Sequence, residues 1–145
     1  MFELENCVAF VTNKASKILS DALNSELIKY GITKSQWIAM YYINSNEKLN
    51  QKDLSKLMNT KEPTTAGILD RIENDGLIER TKDTKDKRNK LLKLTEKGTK
   101  LNSEMIEIAK NFRDNCLDGI SEKDQDVFMR VLDQMIFSAS QWKYE

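Results

Sequence analysis

The sequence predicts a mainly α-helical chain with one small β-hairpin, and three observations support this prediction. Apolar residues recur at spacings of three and four along most of the 145 residues, which is typical of amphipathic helices. The helical pattern that ends just before Gly76 is followed at once by a short strand-like run. A second strand-like run, preceded by a charged turn, ends at Thr95 and gives way to another helical pattern. Helices on both sides of such a hairpin form the layout of a winged helix-turn-helix, here with further helices at both ends of the chain.

The bulk composition favours one soluble, globular domain in the cytoplasm. The chain is 39% hydrophobic and 32% charged, which fits a folded protein rather than a disordered one. No apolar run approaches the roughly 18 residues needed to span a bilayer. The N-terminus carries Glu3 and Glu5 where a secretory signal would carry basic residues.

The residue types present argue against an enzyme. Histidine is absent, which removes the commonest general base and the commonest zinc ligand. The two cysteines, Cys7 and Cys116, lack the spacing of metal ligands. The sequence also contains no nucleophile–base pair and no phosphate-binding loop. We therefore expect no enzymatic activity, no metal site and no cofactor.

The first two helices are predicted from apolar periodicity and from capping signals. Residues 3–29 are expected to form one long helix, because apolar residues recur on more than one of its sides. Gly31 ends this helix. Thr33 and Gln36 then form a capping box that starts a second helix, from Lys34 to about Asn44.

Two shorter helices follow, with the spacing of a helix-turn-helix. Asn50 and Asp53 are expected to cap the third helix, and Thr60 is expected to cap the fourth, with Pro63 tolerated in its first turn. The side chains expected to point inward from these two helices are Leu54, Leu57, Met58, Thr65, Ile68, Leu69 and Ile72. Gly76 supplies the left-handed stop of the fourth helix.

The strands and the last two helices complete the predicted order. Residues 77–82 and 89–94 are expected to pair as strands, with Leu92 and Leu94 on the inward face. A fifth helix begins at about Glu96 and is broken by Gly119. Ser121 and Asp124 then start the last helix.

The terminal helices are too long and too apolar to be buried by a winged helix of about 65 residues. We therefore expect a two-fold homodimer. The expected organisation is a dimerisation helix in residues 1–32, a DNA-binding region in residues 33–98 and two dimerisation helices in residues 99–145, all within one folded domain. The alternative is a monomer whose terminal helices close on its own core.

Basic residues are concentrated in the middle of the chain, although the net charge of the whole chain is zero. Residues 48–100 contain 14 Lys and Arg against 9 Asp and Glu, a net charge of +5, whereas residues 101–145 have a net charge of −4. This is the pattern of a segment that binds a polyanion between neutral or acidic flanks. A mild charge bias alone would also fit an ordinary solvated surface.

In a helix-turn-helix, the N-terminal half of the second helix faces the base edges of DNA. Lys61 and Thr64 are the best-placed outward residues for such contacts. A threonine can offer its hydroxyl group to a base or its methyl group to thymine. The competing interpretation is that both residues only cap and cover the start of the helix. The other outward positions of this helix are Glu62, Gly67, Asp70, Arg71 and Asn74.

The predicted hairpin is strongly basic. Residues 80–93 contain only Asp83 and Asp86 as acids, against seven basic residues, which are Arg80, Lys82, Lys85, Lys87, Arg88, Lys90 and Lys93. An arginine suits a narrow minor groove, and Asp86 is placed to orient the guanidinium group of Arg88. The lysines are expected to contact phosphates. The competing interpretation is an exposed strand edge that lysines protect against aggregation.

Several segments match one family of regulators. They are "GIT" before a helix with a tryptophan, then "QKDLSKLM", "GILDRIENDGLIER" and "DKRNKLLKLTEKG". On these segments the chain resembles the MarR family (multiple antibiotic resistance regulators) over essentially its whole length. The resemblance implies a dimer of winged helices on a pseudo-palindromic DNA operator, with Arg88 in the minor groove and Asp86 as its partner. The family's recognition helix would start at residues 61–65, which adds Thr65 to the candidate DNA contacts.

The sequence departs from the family pattern at Ala66 and Gly67, where a hydroxyl residue and a longer side chain are common. Gly67 offers no side-chain base contact and costs about 1 kcal/mol relative to alanine in a helix. Base recognition at this position is therefore in doubt, and specificity would depend more on Lys61, on Thr64 and on DNA shape.

The resemblance also implies a repressor that is released by a small aromatic or phenolic ligand. Trp37, Tyr41 and Tyr42 fall near the junction where the family binds such ligands, although aromatic residues at this spacing also fit a core. A thiol-based sensor that uses Cys7 is one alternative. However, Glu3 and Glu5 lie close to Cys7, and they disfavour a reactive thiolate. A winged helix that binds proteins is another alternative, for which an acidic or apolar wing would be expected.

Overall fold

The structure is a computed structural model that describes residues 1–143. It is mainly α-helical, with a single two-stranded hairpin in the described part, so the predicted fold class is confirmed. Two compact units make up the chain, residues 1–110 and the residues from Asn111 onward. The predicted division into two dimerisation regions and one DNA-binding region stays a prediction. Within residues 1–143 no helix combines the length and the apolar character that crossing a membrane requires.

The chain begins with a short 3-10 turn instead of the predicted continuous helix. This turn covers Leu4–Asn6, and α1 covers Val8–Ile28. Between them Cys7 has an extended backbone (φ −73°, ψ 114°), and its carbonyl group accepts the N–H of Val11 at 2.9 Å. The side chain of Asn6 bonds the Glu3 carboxylate at 2.6 Å and closes the turn locally, which competes with helix propagation. The prediction of one helix over residues 3–29 is therefore wrong at its start.

The second helix, α2, covers Lys34–Ser45 and has the predicted capping box. The Gln36 backbone N–H donates to the Thr33 hydroxyl at 3.2 Å, and the Thr33 backbone N–H donates to Gln36 Oε1 at 2.9 Å. Each residue satisfies a backbone donor that the helix itself cannot bond. This fixes the point where the chain enters α2.

The helix-turn-helix consists of α3, Gln51–Leu57, and α4, Glu62–Asn74. Asn50 caps α3, because its Oδ1 accepts the N–H of Asp53 at 2.8 Å. The turn between the helices passes through Asn59, which has a positive φ of 50°, a conformation that asparagine tolerates better than most residues. Leu57 was predicted to point inward but is 44% exposed, because it lies at the last turn of a seven-residue helix.

The prediction that Thr60 caps α4 is also wrong. The residue before the helix is Lys61, which forms no side-chain cap (φ −73°, ψ 145°), and Pro63 lies in the first turn as predicted. The Thr60 hydroxyl instead hydrogen bonds to the Thr65 hydroxyl, with 2.9 Å between the oxygens. Thr60 therefore holds the turn against the inner face of α4.

The wing is the antiparallel pair β1, Ile78–Lys82, and β2, Lys90–Leu94. Ile78 pairs with Leu94 at the base, and Lys82 pairs with Lys90 near the tip. Leu92 and Leu94 are buried as predicted. The Leu92 N–H donates to the carbonyl of Leu49 at 2.9 Å, so the wing is bonded to the segment that leads into α3. The hairpin and the helix-turn-helix thus share one hydrogen-bonded framework.

One apolar core lies beneath these elements. Its largest fully buried apolar side chains are Leu27, Ile32, Met40, Leu54, Leu69, Ile72 and Met105. They come from α1, α2, α3, α4 and α5 and from the α1–α2 loop, where α5 covers Glu96–Cys116. The core leaves the outward faces of α4 and of the wing free for another molecule.

The last helix, α6, covers Glu122–Gln141 and has no buried residue along this range. Gly119 precedes it with a positive φ of 76°, which is the predicted stop after α5. The Ser121 hydroxyl accepts the N–H of Asp124 at 3.1 Å, so the predicted cap is confirmed. α6 therefore forms with its apolar stripe uncovered.

Candidate nucleic-acid interface

The recognition helix α4 has one buried face and one exposed face. Leu69 and Ile72 belong to the core, whereas Lys61, Thr64 and Arg71 are exposed. Glu62 also lies outward, in the first turn. Lys61, Thr64 and Arg71 are separated by three and by seven residues, which is one and two helical turns, so they lie along one side of the helix. This side can enter a DNA groove without any change in the core.

Thr65 does not belong to this exposed face. Its side chain is completely buried, and its hydroxyl contacts the Thr60 hydroxyl and, at 3.4 Å, the Lys61 carbonyl. A base edge cannot reach it, so its inclusion among the DNA contacts is wrong. The family pattern placed Thr65 in the set, but its register on α4 places it in the core.

The wing tip is ordered by two aspartates that bond the backbone. Asp83 Oδ1 accepts the N–H of Lys85 at 3.0 Å, and Asp86 Oδ1 accepts the N–H of Arg88 at 3.0 Å. Asp86 therefore shapes the turn. That it also orients the Arg88 guanidinium group stays a prediction. Lys82, Lys85, Lys87, Arg88 and Lys90 are all exposed. The tip is a fixed turn with an uncovered positive surface.

Arg80 differs from the other basic residues of the wing. Its guanidinium group bonds Asp70 Oδ1 at 3.0 Å and lies 3.1 Å from Glu73 Oε2, and its side chain is only 22% exposed. Both carboxylates belong to α4, and Arg80 belongs to β1. A planar guanidinium group can hold two carboxylates at once. Arg80 thus braces the wing against the recognition helix.

Replacing Arg80 with methionine, which keeps the apolar stem, is expected to weaken operator binding about tenfold. The wing would lose its fixed position relative to α4, while the fold would lose only about 1 kcal/mol, because these ion pairs are partly exposed. DNA titrations of the Arg80→Met, Asp70→Asn and Glu73→Gln variants, together with thermal unfolding, would measure both effects.

The two roles of Arg80 predict different results. If Arg80 bound a phosphate, Arg80→Met would lower the salt slope of binding by about 1. The Asp70→Asn and Glu73→Gln variants would then bind more tightly, because each removes a negative charge. If Arg80 braces the wing, all three variants bind more weakly and the slope stays unchanged.

Lys52 is a candidate contact that the sequence interpretation missed. A recess of about 330 Å³ lies between the start of α3 and the wing, and its lining residues are Asn50, Gln51, Lys52, Arg88, Asn89 and Lys90. Three cationic side chains from two distant segments meet there. The regular spacing of Lys48, Lys52 and Lys56 was the available signal. Lys52 gains importance because the wing lies close to the start of α3, and the sequence alone does not show this closeness.

The three aromatic residues proposed for the effector site do lie together. The ring centroids of Trp37 and Tyr41 are 6.2 Å apart, and those of Tyr41 and Tyr42 are 5.8 Å apart, both in edge-to-face geometry. The Trp37 Nε1 atom is buried and has no hydrogen-bond partner in the described part of the chain. This unused donor is compatible with a polar ligand atom.

The two cysteines lie apart from this aromatic group in sequence, and both are free thiols. Cys7 is half-buried and Cys116 is exposed. Within the described residues, no three histidine, cysteine, aspartate or glutamate side chains are grouped as a metal site.

Comparison with known proteins agrees with this arrangement. The sequence model of the MarR family matches residues 32–90, which include α2, the helix-turn-helix and most of the wing. This chain is similar to the MarR family over that segment. One relative is YwoH of Bacillus subtilis (strain 168), described as an uncharacterized HTH-type transcriptional regulator. It is 26% identical over 119 residues, which span 82% of this chain and 86% of YwoH.

Two solved structures share the fold over nearly the whole chain. MepR of S. aureus, solved as a complex with DNA, superposes with a TM-score of 0.85 at 23% identity and covers 93% of this chain and 98% of its own. CouR from Rhodococcus jostii RHA1, solved with p-coumaroyl-CoA, gives a TM-score of 0.81 at 20% identity and covers 100% and 99%. The shared fold therefore includes the terminal helices as well as the winged helix.

Proposed function

We propose that this chain is a sequence-specific, DNA-binding transcriptional regulator of the MarR family that acts as a homodimer. The observation that supports this most directly is the exposed basic wing, held by Arg80 beside the polar outward face of α4. The two features together match a helix in the major groove and a hairpin on the adjacent backbone. Lys61, Glu62, Thr64 and Arg71 would contact DNA from α4. Lys82, Lys85, Lys87, Arg88 and Lys90 would contact it from the wing, whose turn Asp86 shapes.

The dimer is supported by apolar side chains that the chain itself leaves uncovered. On α1 they are Val8, Val11, Ile18, Leu19 and Ile28, and on α6 they are Phe128, Met129, Val131, Ile136 and Phe137. Exposed large apolar side chains grouped along a helix mark an interface. A second copy offers the same surfaces and would cover them with two-fold symmetry.

We further propose that the regulator is a cytoplasmic repressor, has no enzymatic activity, and is released from DNA by a small aromatic or phenolic ligand. MepR has been seen with DNA and CouR with p-coumaroyl-CoA, so this fold accommodates both kinds of partner. In this chain Trp37, Tyr41 and Tyr42 would line the effector site, with the free N–H of Trp37 as a donor.

The first test is a fluorescence-anisotropy titration with DNA fragments from upstream of the protein's own gene, at two salt concentrations. We expect tight binding of one dimer to one fragment. Log affinity should fall steeply with log salt, with a slope of about −0.9 for each phosphate neutralised. A scrambled fragment is the control. Equal, weak binding to every fragment would contradict sequence specificity and favour a protein-binding role for the winged helix.

The effector site can be tested by the fluorescence of Trp37. Titration with aromatic acids should change the emission of wild-type protein and weaken its binding to the operator fragment. A Trp142→Phe variant keeps Trp37 as its only tryptophan, whose emission can be excited selectively, and a Trp37→Phe variant is the control. If no aromatic acid changes the signal of the Trp142→Phe variant, these three residues do not form the effector site.

A further inference from the structure

The middle of the recognition face is occupied by a residue without a side chain. Gly67 lies in the interior of α4, which covers Glu62–Asn74, and it is exposed. Its backbone is ordinary, since the positive φ values among the glycines belong to Gly31, Gly76 and Gly119. The helix therefore does not need a glycine for its conformation at this point.

The packing of the chain does not need a glycine there either. A Cβ atom placed on Gly67 would meet no heavy atom within 4 Å, apart from its own helix and immediate neighbours. Alanine is more stable than glycine in the interior of a helix, so the folded chain alone would be better served by alanine. The folded chain itself therefore gives no reason for a glycine at this position.

The backbone of Gly67 offers no free hydrogen-bonding group. In the helix its N–H and C=O are bonded to residues four positions away. A recess of about 240 Å³ opens there, and its lining residues are Thr33, Gln36, Thr64, Gly67, Ile68 and Arg71. Beside Gly67, the methyl group of Thr64 and the partly buried Ile68 are apolar. Polar groups can be bonded by the neighbouring side chains of Gln36, Thr64 and Arg71. A group placed against Gly67 itself gains only van der Waals contact, which favours a small, apolar and protruding group.

Only one group in the major groove has these properties. The edges of guanine, adenine and cytosine present hydrogen-bond donors and acceptors, whereas thymine adds a methyl group that projects into the groove. We infer that Gly67 receives the 5-methyl group of an operator thymine, with the Thr64 methyl group beside it. Gly67 thus becomes a specificity-determining residue, and this inference rests on the proposed function. Lys61 and Arg71, which lie on either side of Gly67 along the helix, would hold the helix close enough to the bases for this contact.

The inference can be tested with the Gly67→Ala variant and with operators in which thymine is replaced by deoxyuracil. The added methyl group should weaken binding to the normal operator about tenfold, through a clash with the thymine methyl group. The same variant should unfold about 2–4 °C higher than the wild type, because its helix is more stable. Ser103→Ala, an exposed position on α5, should leave DNA affinity unchanged.

Deoxyuracil lacks only the 5-methyl group, so it provides a rescue experiment. Symmetric thymines of the footprinted operator are replaced one pair at a time. Deoxyuracil at one particular pair of positions should weaken the binding of wild-type protein. At the same pair, the affinity of the Gly67→Ala variant should rise to near the highest affinity that this variant shows for any operator. Unchanged affinity of Gly67→Ala for the normal operator would overturn the inference, as would weakened binding that no deoxyuracil pair restores. Neither result affects the proposed function, which fails only if wild-type protein selects no fragment.

Discussion

Alanine at position 98 is expected to destabilise the protein severely. Gly98 is buried in the first turn of α5, where a Cβ atom would lie 1.9 Å from the carbonyl oxygen of Leu77 and 2.9 Å from its carbonyl carbon. The obstacle is backbone, so no side-chain rotation can relieve it. Overpacking typically costs about 1–3 kcal/mol and occasionally more, and this contact belongs at the upper end. We expect a loss of about 3 kcal/mol, a large part of the 5–15 kcal/mol typical of a whole domain.

The contact between Gly98 and Leu77 lies where α4, the wing and α5 meet. Disturbing it therefore affects all three elements. The Leu77 carbonyl accepts the N–H of Thr95 at 3.1 Å, and the Thr95 hydroxyl donates to the Gly76 carbonyl at 2.6 Å. The Gly98 N–H donates in turn to Thr95 Oγ1 at 3.0 Å. Moving α5 away from Leu77 would break these bonds at the base of the wing. The wing and the recognition helix would lose their common support.

Thermal unfolding by circular dichroism, at one protein concentration, measures this prediction. A loss of about 3 kcal/mol corresponds to a fall in Tm of roughly 10 °C for a chain of this length. Gly67→Ala is the matched control, because it makes the same chemical change where the added methyl group meets nothing. It should raise the Tm. Equal Tm values for Gly98→Ala and wild-type protein would contradict the tight contact between α5 and Leu77.

Several ends of the elements could be predicted from the sequence because their signals are local. The capping box of Thr33 and Gln36, the cap of Asn50 and the cap of Ser121 each depend on a partner three residues away. Gly76 and Gly119 end helices through their own backbone conformation. Such signals do not depend on the rest of the fold, so the order of the elements follows from them.

The features that organise the interface depend on distant residues and could not be predicted in the same way. In the sequence, Arg80 is one more basic residue of the wing. In the fold, β1 places it beside Asp70 and Glu73 of α4. Lys52 gains its place beside Arg88 only when the wing folds against α3. Sequence alone reports the charge of a residue, whereas its availability to DNA depends on the partners that the fold provides.

Arg88 is the residue of the wing whose loss should most affect DNA binding. Its side chain is exposed at the tip, and its backbone N–H is fixed by Asp86 at 3.0 Å. An arginine held in this way can enter a narrow minor groove, where the negative potential is enhanced. Arg88→Ala is expected to weaken operator binding by about 10- to 100-fold, in line with about 1–3 kcal/mol for a good specific contact. The fold should be unaffected, because the side chain packs against nothing that a stable core requires.

The Arg88→Lys variant separates the minor-groove role from simple charge attraction. Lysine keeps the charge but lacks the planar group and is more strongly hydrated, so it should recover little of the lost affinity. If Arg88 only contacts a phosphate, Arg88→Lys will bind like the wild type, and Arg88→Ala will lower the salt slope by about 1 and weaken all sequences equally. Lys87→Ala, which removes the adjacent charge, is the control for that behaviour.

Variants of Asp86 distinguish two possible roles of its carboxylate. One is to bond the backbone of the wing tip, as in the structure, and the other is to orient the Arg88 guanidinium group. Asp86 Oδ1 accepts a backbone N–H, and the amide oxygen of asparagine can accept the same bond. Asp86→Asn should therefore keep the turn and most of the operator affinity, while Asp86→Ala should lose both. If Asp86→Asn weakens binding as much as Arg88→Ala does, the carboxylate acts on the guanidinium group once DNA is bound, and the wing tip rearranges between the free and the bound protein.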